Sequence, residues 1–195
     1  MRLENKKIGF AITGSFCTFS QLPDVMGQLM QEGADVLTIL SSAVKSFDTR
    51  FGKAADLIEN IKEITKREPI VDIVGAEPFG PKVLADVLVV FPCTGNTIAK
   101  LANAITDTSV TMACKAHLRN NRPVVLAVST NDGLGANARN IGQLLNMKNI
   151  YMVPFGQDDP MKKPNSLVFQ NALLIETILE ALEGRQIQPI LRTPE

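Results

Sequence analysis

The chain has 195 residues, 45% of them hydrophobic and 21% charged, a globular balance that excludes a disordered chain. Twenty Lys and Arg offset twenty Asp and Glu, so the electrostatic pull that dominates nucleic-acid binding is missing. Three scattered cysteines (Cys17, Cys93, Cys114) and one histidine (His117) exclude a disulfide framework and a His-rich metal site, and no metal is expected.

Short apolar runs alternate with segments of helical period, the signature of a parallel α/β sheet. Residues 1–7 enter an apolar strand with no small-residue cleavage site, so no signal peptide is expected and the expected location is the cytoplasm. None of the runs reaches the roughly 18–20 apolar residues of a membrane span. The first predicted strand is Ile8–Ile12. A helix follows on the stripe Leu22, Val25, Met26, Leu29, Met30 and stops at Gly33. Val36–Leu40 is the second strand, followed by a polar, basic stretch from Ser41 to Lys53 and a helix over 54–64. Residues 68–82 carry three prolines and two glycines, so an irregular segment is expected, with at most one short strand at 70–74. The third strand, Val87–Phe91, is wholly apolar, as a central strand buried on both faces must be. Ile98, Leu101, Ala102 and Ile105 mark the next helix. Another spans 108–120, with Cys114, His117 and Leu118 inward, which makes His117 a packed or interface residue rather than a general base. The strand at 123–128, a helix bearing Ile141 and Leu144, a strand at 150–153 and a last helix ending at Gly184 complete the pattern. The fold class is thus one three-layer, doubly wound α/β domain over 1–185, of flavodoxin or Rossmann type, with an extended tail at 186–195. In such sheets ligands bind beyond the carboxyl ends of the strands, where the winding reverses.

The turns at those ends are rich in hydroxyls. Thr13-Gly14-Ser15 follows the first strand and suits a phosphate, because Gly14 permits close backbone approach. The dinucleotide fingerprint and the P-loop both fail here: the spaced glycines, the acidic residue after the second strand and the Lys after Gly14 are all absent. A monophosphate cofactor fits better than NAD or ATP, and an ordinary strand-to-helix turn fits equally. Pro92-Cys93-Thr94-Gly95-Asn96-Thr97 places further hydroxyls and an amide at a second helix N-terminus, a pattern that plain capping also produces. Ser129-Thr130-Asn131-Asp132-Gly133-Leu134-Gly135 follows the fourth strand, where Asn131 can face a heterocycle or a carboxylate.

In this order the loops resemble the flavin-binding family of homo-oligomeric flavin-containing cysteine decarboxylases and flavin prenyltransferases. Ile12–Ser15, Ser41 and Pro92–Thr97 match its motifs, and Val128–Asn131 matches in part. The catalytic His that the family carries after its second strand is missing from 41–53, and Thr130 stands in place of a Met. The Arg-Glu pair of the prenyltransferases is replaced by Ser129-Thr130. Longer runs, among them Asp48–Lys53, Asn120–Leu126 and Pro154–Pro160, resemble most closely one branch of the family. That branch works with a separate NAD(P)-binding polypeptide to oxidise a cyclic dicarboxylate to its aromatic form.

The resemblance implies FMN, its phosphate held by Gly14, Ser15 and Thr94 or Thr97 and its ring edge near Ser41, Asn96 and Asn131, with Thr13 and Ser129 also among the cofactor-binding residues. It also implies self-association as trimers or multiples of trimers, with the tail at 187–191 and the 158–165 loop available to a neighbour. For the two substrate carboxylates, Arg50 and Lys53 are the first candidates and Lys162 and Lys163 the next, since guanidinium grips a carboxylate through two parallel hydrogen bonds. Each of these is also an ordinary solvated surface residue by type. Cys17 and Cys93 flank the expected pocket, with nothing nearby to activate a thiol beyond helix N-termini. Three functions stay open: a redox component with a partner, a free-standing flavin decarboxylase, and a structural component that has lost flavin.

Overall fold

The computed structural model describes residues 1–192. In chain order it comprises β1 (Lys7–Ile12), a 3-10 segment (Phe16–Gln21), α1 (Leu22–Gln31), β2 (Asp35–Leu40), α2 (Ser42–Ser46) and α3 (Ala54–Thr65). Next come α4 (Ile73–Ala76), β3 (Val87–Cys93), α5 (Gly95–Ala102), α6 (Ser109–Leu118), β4 (Val124–Thr130) and α7 (Ala138–Leu145). The chain ends with β5 (Ile150–Met152), β6 (Phe155–Gln157), β7 (Leu167–Phe169) and α8 (Leu174–Leu182).

The strand order is β2-β1-β3-β4-β7-β6, with β5 also on β4. Strands β1 to β5 are parallel, whereas β7 runs antiparallel to both β4 and β6. Every residue of β3 is buried. Val87, Val89 and Phe91 face a layer that includes Leu22, Met26, Ile61 and Ile178, from α1, α3 and α8. Leu88 and Val90 face the opposite layer, with Ile98, Val110 and Leu144 from α5, α6 and α7. The register of β3 against β4 shifts between Val90 and Cys93, which carries Cys93 onto the Leu88 face instead of the Phe91 face. The sandwich is therefore the three-layer, mainly parallel fold that the hydrophobic periods predict.

Local chemistry explains the boundaries. Gly33 ends the turn after α1 at φ 90°, a backbone region that L side chains resist. Thr108 and Thr111 form a reciprocal capping box at the start of α6. Four expectations need correction. Residues 73–74 are helical in α4, and only Ile70 makes a strand-like bridge, to Ile39. Helix α5 stops at Ala102, leaving Ile105 outside it and 46% exposed. The polar stretch after β2 begins with the short helix α2. Finally, β6 and β7 add an antiparallel extension, each of three residues and too short to show a period.

The stretch after α8 is tied down. The Gln186 side chain bonds both the amide (2.7 Å) and the carbonyl (2.8 Å) of Met152. Phe155 exchanges backbone bonds with Ile190 and Arg192. Residues 193–195 of the expected tail lie outside the described residues.

Candidate functional site

The sheet order places the ends of β2, β1, β3 and β4 side by side, with Ser41, Thr13 and Thr94 immediately after the first three and Ser129 next to last in β4. At about 4.8 Å per strand this row extends roughly 14 Å across the sheet edge. The winding reverses between β1 and β3, the position where such sheets form a ligand crevice.

Side-chain hydrogen bonds connect three of the four ends, and the Ser41 amide joins the fourth through the Ile12 carbonyl (3.0 Å). Thr13 is buried, and its hydroxyl donates to the carbonyl of Pro92 (2.6 Å) and accepts from the Thr94 amide (3.1 Å). It also lies 3.3 Å from the Thr94 hydroxyl, which is 3.1 Å from that of Thr97. Thr94 caps α5 by accepting from the Thr97 amide (3.4 Å). The first amides of that helix, including those of Gly95 and Asn96, have no intrahelical acceptor and form a ready anion site. Ser15, after Gly14, reaches Ser129 with hydroxyls 2.9 Å apart.

Ser41 behaves differently. It precedes α2 in the extended conformation of an N-cap, yet its side chain caps nothing. Its hydroxyl is buried and has no hydrogen-bond partner among the described residues. An orphaned buried hydroxyl costs about 1–3 kcal/mol, and here it sits at the end of the row, where a ligand atom would satisfy it. Together with the neutral hydroxyls and free helix amides, this orphan fits a phosphorylated, ring-bearing cofactor.

Asn96 and Asn131 are exposed at the rim. The Asn131 side chain accepts from the Ser166 hydroxyl, at 3.5 Å. Behind them lies a cluster that sequence pattern does not single out. Asp132 accepts from the Thr130 hydroxyl and twice from the Asn137 amide (2.8 and 3.0 Å). Asn137 in turn accepts from Asn140 (2.9 Å). The Thr130 bond, followed by the Asn137 bonds, holds the Asp132 carboxyl below its ordinary range. The cluster presses on the first residue of α5: a Cβ at Gly95 would lie 2.5 Å from the Thr130 hydroxyl and 2.7 Å from the Asn137 amide nitrogen. The only sequence signal is the Asp-Gly turn, which reads as a loop rather than a buttress.

Arg50 lies on a tight hairpin after α2, and Lys53 follows it as the residue before α3. The hairpin is closed by paired backbone bonds between Thr49 and Gly52 (3.0 and 3.1 Å), and Asp48 accepts from the Ala54 amide at 2.9 Å. Among the described residues neither cation has an ion-pair partner, whereas Lys163 is paired with Asp158 (2.5 Å) and Lys162 with Asp159 (3.7 Å). The thiols also divide. Burial pushes Cys93 well above its ordinary value, with the Cys114 charge adding to it, and pushes Cys114 up to about 12. Only Cys17 is exposed. Cys93 therefore packs as a small apolar residue.

The chain belongs to the Flavoprotein family, whose pattern matches residues 1–172. Within that class it is 51% identical over 189 residues to the B subunit of dipicolinate synthase from Bacillus subtilis (strain 168), spanning 97% of this chain and 94% of that protein. The crystal structure of the dipicolinate synthase B subunit from Bacillus halodurans C superposes with a TM-score of 0.91 at 47% identity, covering 100% of both chains. The FMN-dependent cysteine decarboxylase SpaF shares the fold, with a TM-score of 0.68 at 22% identity over 93% of this chain and 97% of that one. Among the described residues no helix is long and apolar enough to cross a membrane.

Proposed function

We propose that this chain is the flavin-carrying component of a dipicolinate synthase, acting with the NAD(P)-binding A subunit of that enzyme to oxidise dihydrodipicolinate to dipicolinate in the cytoplasm of a sporulating mother cell. The observation that carries this reading is the 51% identity to a dipicolinate synthase B subunit over nearly the whole chain. Its physical support is the hydroxyl row with the orphaned Ser41 at one end.

FMN, when bound, would accept or relay the hydride removed in aromatising the ring. Gly14, Ser15, Thr94 and Thr97 would hold its phosphate through hydroxyls and helix amides. Thr13 would fix the turn by tying Pro92 and Thr94 to β1. Ser41, Asn96, Ser129 and Asn131 would line the edge of its ring, where the orphaned Ser41 hydroxyl would gain a hydrogen-bond partner. Arg50 and Lys53 would hold the two substrate carboxylates. The stretch after β2 contains no histidine to serve as the decarboxylase acid–base group, which weighs against a free-standing decarboxylase. Self-association as trimers or their multiples belongs to the same reading.

The test is co-expression with the NAD(P)-binding partner, release and identification of the bound cofactor, and turnover of dihydrodipicolinate with and without that partner. Yellow protein absorbing near roughly 450 nm, with turnover only in the presence of the partner, is the expected result. A colourless chain whose complex turns over normally would leave it a structural component. Turnover by the chain alone would make it a free-standing enzyme.

A further inference from the structure

Next to the row, between α1 and α3, lies a cavity of about 300 Å3. Four of the chain's nine phenylalanines line it: Phe16 and Phe19 from the 3-10 segment, Phe47 and Phe51 from the hairpin. Phe16 and Phe19 meet edge to face at 5.1 Å between ring centroids. Phe47 and Phe51 are 60% and 49% exposed, so their rings are held at the mouth rather than sunk in the core. Met26 and Ile61, both buried, also border the cavity and offer no polar atom to a ligand. Its walls thus favour a flat apolar body, because aromatic faces gain from offset stacking on another ring.

The cations lie at the same hairpin, whereas Ser20 of the 3-10 segment and Asn60 of α3 add neutral polar groups to the lining and Arg50 stands outside it. Lys53 lines the cavity directly, immediately before α3. The Arg50 guanidinium lies 4.8 Å from the centroid of the Phe51 ring. Both charges lack an ionic partner among the described residues, and the paired bonds of the hairpin fix the backbone that carries them. Asp56, one turn into α3, adds a carboxylate at the lining and opposes any anion seated beside it. A ligand anion is therefore driven toward Lys53 and Arg50.

We propose that this cavity is the receptor for the ring of a planar, monocyclic dicarboxylate, stacked among Phe16, Phe19, Phe47 and Phe51 with its carboxylates toward Lys53 and Arg50. The substrate class rests on the function proposed above, but the site itself is separate from the hydroxyl row. It makes the four phenylalanines determinants of specificity for a flat ring, and Asp56 a determinant of which edge the carboxylates face. Phe16 joins the two sites: its ring lies 3.4 Å from where a Cβ on Gly14 would be, so a ring in the cavity lies alongside the turn after β1.

Titration calorimetry on the full chain tests this with benzene-1,3-dicarboxylate and cyclohexane-1,3-dicarboxylate as probes, and with flavin content measured in every preparation. The aromatic probe should bind at least about tenfold more tightly than the puckered one. Lys53→Met and Arg50→Met should each weaken it about tenfold. Phe51→Leu should lower the preference for the aromatic probe, and Asp56→Asn should strengthen binding by about two- to fivefold. Flavin content should be the same in all four variants. Absence of saturable binding, or equal binding by wild type, Lys53→Met and Phe51→Leu, would overturn the proposal. Flavin retention without dicarboxylate binding would sink this inference alone. Dicarboxylate binding by a chain that takes up no flavin would sink the flavin reading and leave the cavity assignment standing.

Discussion

The hydroxyl of Ser15 lies 2.9 Å from that of Ser129, although 114 residues separate them in the chain and β3 runs between their strands. Ser15 precedes a 3-10 segment without capping its backbone, and its hydroxyl is shared between Thr18 of that segment, 3.3 Å away, and the shorter contact to the neighbouring turn. Two turns that follow different strands are thereby held in one register. The same holds for Thr13 and Thr94 across the reversal of the winding. The row behaves as a single preorganised edge, and disturbing one turn should be felt at the others.

Ser41→Ala separates stability from ligand binding. The wild-type hydroxyl is buried and unpaired, so deleting it should leave the cofactor-free chain unchanged or stabilise it by up to about 1 kcal/mol. Flavin affinity should fall at the same time, by about tenfold if the hydroxyl bonds the ring. Urea midpoints with and without flavin give both numbers. Ser109→Ala is the contrast: its hydroxyl donates to the Leu40 carbonyl at 2.5 Å, and its loss should lower the midpoint in both states.

Gly95→Ala should be costly despite favourable helix propensity. The added methyl would meet the Thr130 hydroxyl at 2.5 Å, and Asp132 at 2.9 Å, within a connected cluster that cannot yield at one atom alone. Such overpacking costs about 1–3 kcal/mol. Flavin affinity should also drop, because the displaced residue opens α5, where the anion site lies. A chemical denaturation curve matching wild type would show that the 130–137 loop is softer than its hydrogen bonds indicate.

The legible parts of the chain were those carried by period and by turn chemistry. Strand β3 was evident because seven consecutive buried positions leave no room for polar residues. The hydroxyl-rich turns were each legible because they end strands, but their side-by-side order was not, since alternation fits both the flavodoxin and the Rossmann winding. Strand β7 was not, since Leu167–Phe169 is defined by pairing with Ser129 and Thr130, a long-range contact with no local period. The Asp132 buttress escaped for the same reason: its partners become visible only once β4 and α7 are packed together. The phenylalanine-lined cavity is formed by segments that read as a polar loop, where Phe47 and Phe51 have no stripe to join.

Gln186→Ala should destabilise the chain through strand β5. Among the described residues that strand pairs only with β4, and the Gln186 amide acts as a substitute neighbour by bonding both backbone groups of Met152. Met152 is 1% exposed, so its freed amide and carbonyl would be left without water. A loss of about 1–3 kcal/mol follows, and amide exchange at Met152 should accelerate while β1 stays protected. Gln186→Glu keeps the acceptor but turns a carboxylate oxygen onto the Met152 and Ile187 carbonyls, so at neutral pH it should be no more stable than Ala.

The single histidine sets a pH dependence of known sign. His117 is 0% exposed, meets the Phe79 ring edge-on at 6.4 Å, and neither ring nitrogen has a hydrogen-bond partner. Burial first, then the Arg122 charge, lowers its pKa from 6.5 to about 4, against smaller opposing effects from Asp86 and the Pro123 carbonyl. The unfolded chain therefore binds the proton more readily than the folded one between these two values. Stability from this group is fully present above pH 6.5 and is lost as pH falls toward about 4, at up to about 1.4 kcal/mol per unit. His117→Leu should remove that slope while keeping the core filled. Urea midpoints at pH 7, 6 and 5 should converge for the two proteins as pH falls if wild type leads at neutral pH, or diverge in favour of Leu if the variant is already the more stable. Parallel midpoints across that range would mean that His117 is not held neutral by its burial.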